Sequence, residues 1–193
     1  NDWVNLSVAN NSGADIVYVN RASTNRVIVL TGTAPNMVLN TRSPTVGGIP
    51  ASGANSKLQA DRNPGRPTSA YFTMQLFDGS LRLAVTHNAG VTWTSATGNI
   101  NTLASGEAPQ ELIASSLDAR QLWLGTSGGV YQSDDGGANW FAVMQGLPAT
   151  LNVTQLEYDP TRSPPRLILG SYGRGFYTRE FALPAALFAN GFE

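Results

Sequence analysis

Short runs of apolar residues alternating with small or polar residues recur along the chain, separated by clusters of glycine, proline, asparagine and aspartate. At residues 122–132 the run LWLGTSGGVYQ leads into the polar stretch SDDGGANW, which is followed by the apolar run FAVMQGLP. An apolar run that enters a tight polar turn and leaves as another apolar run is typical of a β-hairpin. Helical periodicity is nearly absent, and a candidate helical turn in FALPAALFANGFE is interrupted by Pro184. The pattern therefore predicts an all-β protein.

The chain also repeats itself. The stretch THNAGVTW at residues 86–93 follows the same template as SDDGGANW at residues 133–140, and each ends in a tryptophan. Strand–turn–strand stretches precede both, as KLQADRNPGRPTSAYFTM and ELIASSLDARQLWLGT, and further copies begin at Asn5 and Gln155. Each unit thus holds four short strands in about 45 residues, the size of a β-propeller blade.

The repeat predicts where the blades lie. Their approximate ranges are 5–55, 56–102, 103–150 and 151–181, with a C-terminal tail at 182–193. The innermost strands are predicted at 5–9, 57–61, 110–114 and 154–159. The last unit stops at GFYTREF without a fourth strand, so the sequence predicts antiparallel sheets amounting to about 3.75 blades.

The two tryptophan stretches resemble the Asp-box, or BNR, repeat of sialidases, sortilin-type receptors and xyloglucan-degrading endoglucanases. The matching box residues are Ser133, Asp135, Gly137 and Trp140 in one copy and Thr86, Gly90, Thr92 and Trp93 in the other, with Asn88 in place of the aspartate. The resemblance covers roughly residues 5–181 and implies a β-propeller. Because the last unit lacks its fourth strand, we expect the chain to be the C-terminal part of a larger propeller. Enzymes and receptors share the box, so it does not by itself indicate an activity.

Asp135 and Asn88 are predicted to stabilise their own turns, because a short carboxylate or amide accepts hydrogen bonds from nearby backbone N–H groups. Calcium binding at Asp134 and Asp135 is the alternative, but a calcium loop needs further oxygen ligands and a terminal glutamate, and GGANWFAVMQGLP offers none. We therefore expect no metal and no cofactor. Trp93 and Trp140 are expected to fill the gaps between neighbouring blades.

The resemblance implies that a ligand binds on the face opposite the boxes. The loops expected there are 22–25, 75–80, 126–129 and 171–175 within blades, and 43–56, 98–109 and 145–153 between blades. Their candidate ligand-binding residues are Asp78, Glu107, Tyr172 and Arg174. Loops on a rigid scaffold commonly carry binding residues.

Each candidate has two interpretations. Arg174, between two glycines, either grips a carboxylate or sugar hydroxyls or pairs with a nearby acid. Asp78 and Glu107 are weak candidates for the acid and base of a glycosidase, or else a turn residue and a solvated side chain. His87 is the only histidine and lies within a box, which argues against a Ser-His-Asp triad. The arginine motif of sialidases is not seen.

The composition of the chain excludes several classes of partner and chemistry. Charged residues make up 13% of the chain and Lys57 is the only lysine, which argues against nucleic-acid binding. There is no cysteine, which excludes disulfides, thiolate zinc sites and cysteine nucleophiles. No apolar run is long enough to span a membrane.

These observations favour a secreted or cell-surface propeller module that binds carbohydrate or protein without a complete active site in this chain. The alternative is part of a glycoside hydrolase, sialidase-like or xyloglucanase-like, with catalytic residues partly outside the chain. The expected partner is the remainder of the propeller or a second copy of the chain, and a self-contained four-bladed ring is the competing arrangement. The tail LFANGFE resembles a C-terminal tail of some secreted bacterial proteins, which favours an extracellular bacterial location.

Overall fold

The computed structural model describes residues 4–11, 14–21, 26–33, 35–42 and 54–181, which form four antiparallel sheets and one helical turn. Sheet 1 contains β1 (Val4–Asn11), β2 (Ala14–Arg21), β3 (Arg26–Gly32) and β4 (Val38–Arg42). Sheet 2 contains β5 (Ala54–Ala60), β6 (Ala70–Gln75), β7 (Leu81–Thr86) and β8 (Thr94–Ser95). Sheet 3 contains β9 (Pro109–Ala114), β10 (Leu122–Thr126), β11 (Val130–Ser133) and β12 (Phe141–Ala142). Sheet 4 contains β13 (Val153–Asp159), β14 (Arg166–Ser171) and β15 (Gly175–Glu180).

This architecture confirms the predicted all-β class. Strands follow one another in chain order within every sheet, and three sheets have four strands while sheet 4 has three among the described residues. The first strand of each sheet overlaps an innermost strand predicted from the repeat. The sequence placed residues 98–109 in a loop, and the structure adds the short helix α1 (Ile100–Leu103) there. One helical turn is too short to produce a periodic pattern.

The sheets pack face to face, with an apolar core between each successive pair. Successive strand residues point to opposite faces, so the middle sheets bury both sides. In β6, Phe72 packs into the core shared with sheet 1, whereas Tyr71 packs into the core shared with sheet 3. In β10, Leu124 and Trp123 divide in the same way between the cores on either side of sheet 3. Sheets 2 and 3 are therefore buried like interior layers.

The two box tryptophans lie in these cores. Trp140 is 3% exposed, and its indole N–H donates to the carbonyl of Ala96 at 2.9 Å. The backbone N–H of Trp140 also donates to Oδ1 of Asn99 at 2.6 Å. Trp93 is equally buried and meets Phe72 edge to face, with ring centroids 6.3 Å apart. Each tryptophan thus joins its own sheet to the preceding one.

The innermost strands lie side by side, in the order β1, β5, β9 and β13. Side chains of one inner strand accept hydrogen bonds from the backbone of the next: Oδ1 of Asn5 accepts from Leu58 at 3.1 Å, and Oγ of Ser7 accepts from Ala60 at 2.8 Å. Glu111 accepts in the same way from Leu156. These hydrogen bonds satisfy inner-strand N–H groups that would otherwise lack a partner.

The two outward faces of the stack differ. On sheet 1, register aligns a set of apolar side chains facing away from sheet 2: Leu6, Val8, Val17, Val19, Ile28, Leu30 and Leu39. Leu6 is 60% exposed. On sheet 4 the corresponding rows are mostly polar, including Glu157, Thr178 and the ion pair between Arg166 and Glu180 at 2.9 Å. Among the described strands, β13 does not pack beside β1 as the other inner strands pack together.

Candidate ligand-binding face

The turns fall on two opposite ends of the stack. At one end, which we call the loop face, turns 76–80, 127–129 and 172–174 meet the inter-sheet segments 98–108 and 145–152. There Nε2 of Gln75 donates to the carbonyl of Glu107 at 3.2 Å. At the other end, the box face, the backbone N–H of Ala89 donates to the carbonyl of Thr68 at 2.8 Å. Predicted loop 22–25 and residues 43–53 of predicted loop 43–56 lie outside the described residues. Residues 54–56 of that loop belong to β5 and not to a loop.

The turn between β14 and β15 has a fixed backbone. The N–H of Tyr172 donates to the carbonyl of Asn152 at 2.9 Å, and Oγ of Ser171 donates to the carbonyl of Gly175 at 2.9 Å. Gly173 and Gly175 have φ values of +74° and +77°. Only glycine adopts this left-handed conformation without strain, which explains the YGRG sequence.

This turn presents exposed side chains. Tyr172 is 78% exposed and Phe176, at the start of β15, is 77% exposed. Arg174 lies between them and is exposed, and no described residue forms a hydrogen bond or ion pair with its guanidinium. The turn therefore combines two solvated aromatic rings with a cation that is available to a ligand.

Asp78 lies in the turn between β6 and β7. Its Oδ1 accepts from the backbone N–H of Ser80 at 2.8 Å and from the Ser80 hydroxyl at 2.6 Å. These two hydrogen bonds, the hydroxyl first, lower the pKa of Asp78. The adjacent Phe77 is solvent-exposed. Asp78 is thus an ionised residue that stabilises its own turn.

Glu107 lies on the same face, in the segment that contacts this turn. Both of its carboxylate oxygens accept from the hydroxyl of Tyr131 at 3.0 Å, and one also accepts from Thr126. Burial, then the charge of Glu107, raises the pKa of Tyr131, so Tyr131 remains a donor. The structure brings Asp78 and Glu107 to one end of the stack, but each carboxylate is already engaged by neighbouring hydroxyl groups.

A polar cleft runs along the inner strands and encloses about 280 Å³. Glu111, whose carboxylate is largely buried, lies in its wall, and Nη2 of Arg62 lies 3.1 Å from it. Nη1 of Arg62 contacts Glu157 at 2.8 Å. Burial raises the pKa of Glu111, while the Leu156 N–H and Arg62 oppose the rise. Sequence reasoning missed this network, because its members come from three different repeats.

A second buried acid, Asp61, lies between the cleft and the box face. It accepts from the hydroxyl of Tyr71 at 2.6 Å, and Nε of Arg66 lies 2.9 Å from its carboxylate. Burial is the main cause that raises the pKa of Tyr71, and the negative charge of Asp61 raises it further. These contacts link the first turn of sheet 2 to its second strand, so Asp61 has a structural role.

In the second box, Asp135 organises the turn. Its Oδ1 accepts from the Asn139 backbone N–H and from the Ser133 hydroxyl, both at 2.8 Å. Its Oδ2 accepts from Nδ2 of Asn139 at 2.7 Å. These bonds, those from Asn139 first, lower the pKa of Asp135 to about 2. Oγ of Ser133 also accepts from the N–H of Gly137 at 2.9 Å.

The first box has the same network with an amide. Oδ1 of Asn88 accepts from the Thr86 hydroxyl at 3.0 Å and from the Thr92 N–H at 2.9 Å. Oγ1 of Thr86 accepts from the N–H of Gly90 at 3.0 Å. Nδ1 of His87 lies 3.0 Å from Oγ of Ser69, on the box face. The network uses Asp135 and Asn88 as hydrogen-bond acceptors within their own turns.

Within the described part of the chain, no group of three or more histidine and acidic side chains is arranged to hold a metal ion. The same residues include no helix that is long and apolar enough to cross a membrane.

Solved structures resemble the chain at low sequence identity. YCF48 from Cyanidioschyzon merolae has 18% identity and a TM-score of 0.58, covering 91% of this chain and 50% of that one. A second YCF48 structure, bound to D1 peptide, has 12% identity and a TM-score of 0.53, covering 91% of this chain and 49% of that one. An ancestral GH74 enzyme has 16% identity and a TM-score of 0.66, covering 93% of this chain and 26% of that one. AofleA from Arthrobotrys oligospora has 12% identity and a TM-score of 0.51, covering 95% of this chain and 58% of that one.

At these identities the similarity concerns the fold: the four sheets match part of a β-propeller. The chain spans between about a quarter and just over half of the length of these structures. No protein-family model matches the sequence. No curated protein matches it either.

Proposed function

We propose that the chain is part of a secreted or cell-surface bacterial propeller that binds carbohydrate or protein through its loop face, without a complete active site of its own. The observation that carries this proposal is the β14–β15 turn, where the exposed residue Arg174 stands in sequence between Tyr172 and Phe176, whose rings are also exposed. Exposed aromatic clusters are typical of interaction sites. An unpaired guanidinium supplies charge-assisted hydrogen bonds to carboxylates and hydroxyl groups.

The state of the two candidate acids supports binding over hydrolysis. A glycosidase needs one carboxylic acid that donates a proton and a second carboxylate that acts as base or nucleophile. Asp78 has a lowered pKa and accepts from Ser80, so it is a poor proton donor. The carboxylate of Glu107 is occupied by Tyr131 and Thr126. Asp78 is therefore not suited to be the proton donor, and the Glu107 carboxylate is held by side chains of its own sheet.

The partner we propose for the sheet stack is the remainder of a larger propeller. The outward face of sheet 1 carries the same kind of apolar rows that sheets 2 and 3 bury against their neighbours. A further blade would cover Leu6 and Val8 as sheet 1 covers Phe72. Burying this face would contribute roughly 25 cal/mol per Å² of apolar area. Light scattering of the isolated chain tests this: a stable monodisperse monomer would favour a self-contained ring, and a discrete dimer would identify a second copy as the partner.

Binding can be tested with a glycan array and a peptide array, using the wild-type chain and the variants Tyr172→Ala and Arg174→Ala. Each substitution should weaken a specific hit by roughly tenfold or more, as expected for a central contact residue, without changing the melting temperature. The matched control is Arg120→Ala, because Arg120 is an exposed arginine on the box face, paired with Asp118. Hits that are unaffected by both loop-face substitutions would contradict the proposal.

A hydrolysis screen distinguishes the alternative. If the chain releases sugars from a polysaccharide, and Asp78→Asn or Glu107→Gln abolishes that release, the glycoside hydrolase interpretation replaces the binding one. If glycans or peptides bind without turnover, the non-catalytic interpretation stands.

A further inference from the structure

The outer edge of sheet 4 lacks a pairing strand among the described residues, whereas sheets 2 and 3 each have a fourth strand at the corresponding edge. In sheet 2, β7 pairs with β8, and in sheet 3, β11 pairs with β12. The corresponding strand of sheet 4, β15, pairs with β14 along one edge, and no described strand pairs along the other. A free edge of this kind is a template for another extended segment.

Beside this edge, between sheets 3 and 4, lies a cavity of about 200 Å³. We call it the rim slot. Its apolar lining consists of Val130, Val143, Leu147, Leu167, Leu169 and Tyr177. Two sheets contribute the lining, so the slot is a gap in the interface and not a surface groove on one sheet.

The rim slot corresponds to a filled position between sheets 2 and 3. On the first wall, the N–H of Ala96 donates to the carbonyl of Leu83 at 2.8 Å, and the N–H of Val143 donates to the carbonyl of Val130 at 2.8 Å. Leu83 and Ala96 have the same sequence separations from Trp93 as Val130 and Val143 have from Trp140. Val130 and Val143 are therefore the counterparts of Leu83 and Ala96.

The second wall shows the same correspondence. In sheet 3, Leu124 pairs with Tyr131, and in sheet 4, Leu169 pairs with Tyr177. Leu124 and Tyr131 belong to the core that contains Trp140. The rim slot therefore has the same walls as the space that Trp140 fills one sheet earlier, but no described residue supplies a tryptophan there.

We propose that the rim slot and the free edge of β15 together bind an extended segment of a partner protein, which places an aromatic side chain in the slot and pairs its backbone with β15. The aromatic ring would take the place of Trp140, with the carbonyl of Val143 corresponding to that of Ala96 as acceptor for an indole N–H. Backbone pairing supplies affinity and the pocket supplies specificity, as in other strand-addition complexes. The slot reaches the loop-face segment 145–152 through Leu147, but its lining does not include Tyr172 or Arg174.

The probe is a fluorescein-labelled peptide with the sequence of residues 137–145, GANWFAVMQ, which contains the chain's own tryptophan and outer strand. Fluorescence anisotropy with the full chain should show saturable binding. The same peptide with Trp140→Ala should bind roughly tenfold more weakly or worse, because it lacks the side chain that fills the slot. Absence of saturable binding, or equal binding of the two peptides, would overturn the proposal.

Two protein variants locate the site. Val143→Trp places a large side chain in the slot and should abolish peptide binding, whereas Leu117→Trp alters a residue that is 61% exposed on the box face and should not. Thermal unfolding checks that each variant folds; if Val143→Trp does not, the comparison of the two peptides decides. A folded Val143→Trp protein that binds the peptide normally would overturn the assignment. A chain dimer that the peptide dissociates would overturn it in favour of a second copy as occupant.

Discussion

Replacing Trp140 with alanine removes the side chain that joins sheet 3 to sheet 2. A buried tryptophan removes about 150–250 Å² from water, which corresponds to roughly 4–6 kcal/mol at about 25 cal/mol per Å². Partial collapse of the site reduces this to about 3–5 kcal/mol. Loss of the hydrogen bond to the carbonyl of Ala96 adds about 1 kcal/mol. We therefore expect the free energy of unfolding to fall by about 4–6 kcal/mol, a large part of a domain's total stability.

The measurement is equilibrium urea unfolding of the wild-type chain and the Trp140→Ala variant, followed by circular dichroism so that it does not depend on tryptophan fluorescence. If the slope of the unfolding free energy against urea concentration is unchanged, the substitution has changed the stability of the folded chain and not the compactness of the unfolded state. Iodide quenching of the wild-type chain provides a second readout, because the buried indoles of Trp93 and Trp140 should be shielded.

Trp93 provides the matched control, since its indole N–H has no hydrogen-bond partner among the described residues. Replacement by phenylalanine keeps most of the apolar area, so Trp140→Phe should cost about 1 kcal/mol more than Trp93→Phe. A loss below about 1.5 kcal/mol for Trp140→Ala would refute the reasoning, because it is smaller than expected for any buried aromatic residue.

The box makes two further predictions. Hydrogen bonds hold the pKa of Asp135 near 2 in the folded chain, so its contribution to stability is present above its ordinary pKa near 3.8 and is lost as the pH falls towards about 2. Asp135→Asn should keep the turn, as Asn88 does, but melting temperatures between pH 5 and pH 2 should show a smaller decrease than in the wild type; equal decreases would contradict the assignment. Gly137→Ala should lower the melting temperature more than Gly136→Ala, because both have left-handed φ but only at Gly137 would a Cβ lie 2.5 Å from that of Ala96. Equal decreases in melting temperature would show that backbone strain at the left-handed φ, and not the contact with Ala96, causes the destabilisation.

Local patterns in the sequence were sufficient to predict the strands and their grouping into four units. The template shared by the boxes placed Trp93 and Trp140 at equivalent positions, and the resulting register leads to the observed sheets. Turn chemistry also supported the alternative that Asp78 is a turn residue, because an aspartate followed by glycine and serine in FDGS is a local signal, and Asp78 does accept a hydrogen bond within that turn.

Contacts between units could not be predicted in this way. Glu111 is one polar residue in the run QELIA, and nothing near it in sequence indicates that it accepts from Leu156 and faces Arg62. Glu107 was predicted to be ligand-binding, catalytic or merely solvated, whereas its partners Thr126 and Tyr131 become neighbours only when β10 and β11 fold against its loop. Such contacts depend on how the units pack, and one sequence without relatives does not contain that information.

The face-to-face stacking also determines how the isolated chain should come apart. Among the described residues, the main contacts of each sheet are with the sheets on either side of it, so its resistance to opening is the sum of its internal pairing and one or two interfaces. Sheets 2 and 3 have two interfaces, whereas sheets 1 and 4 have one each among the described residues. Amide hydrogens should therefore exchange slowest around Tyr71 and Trp123 and faster towards both ends, as in a linear array that frays from its termini.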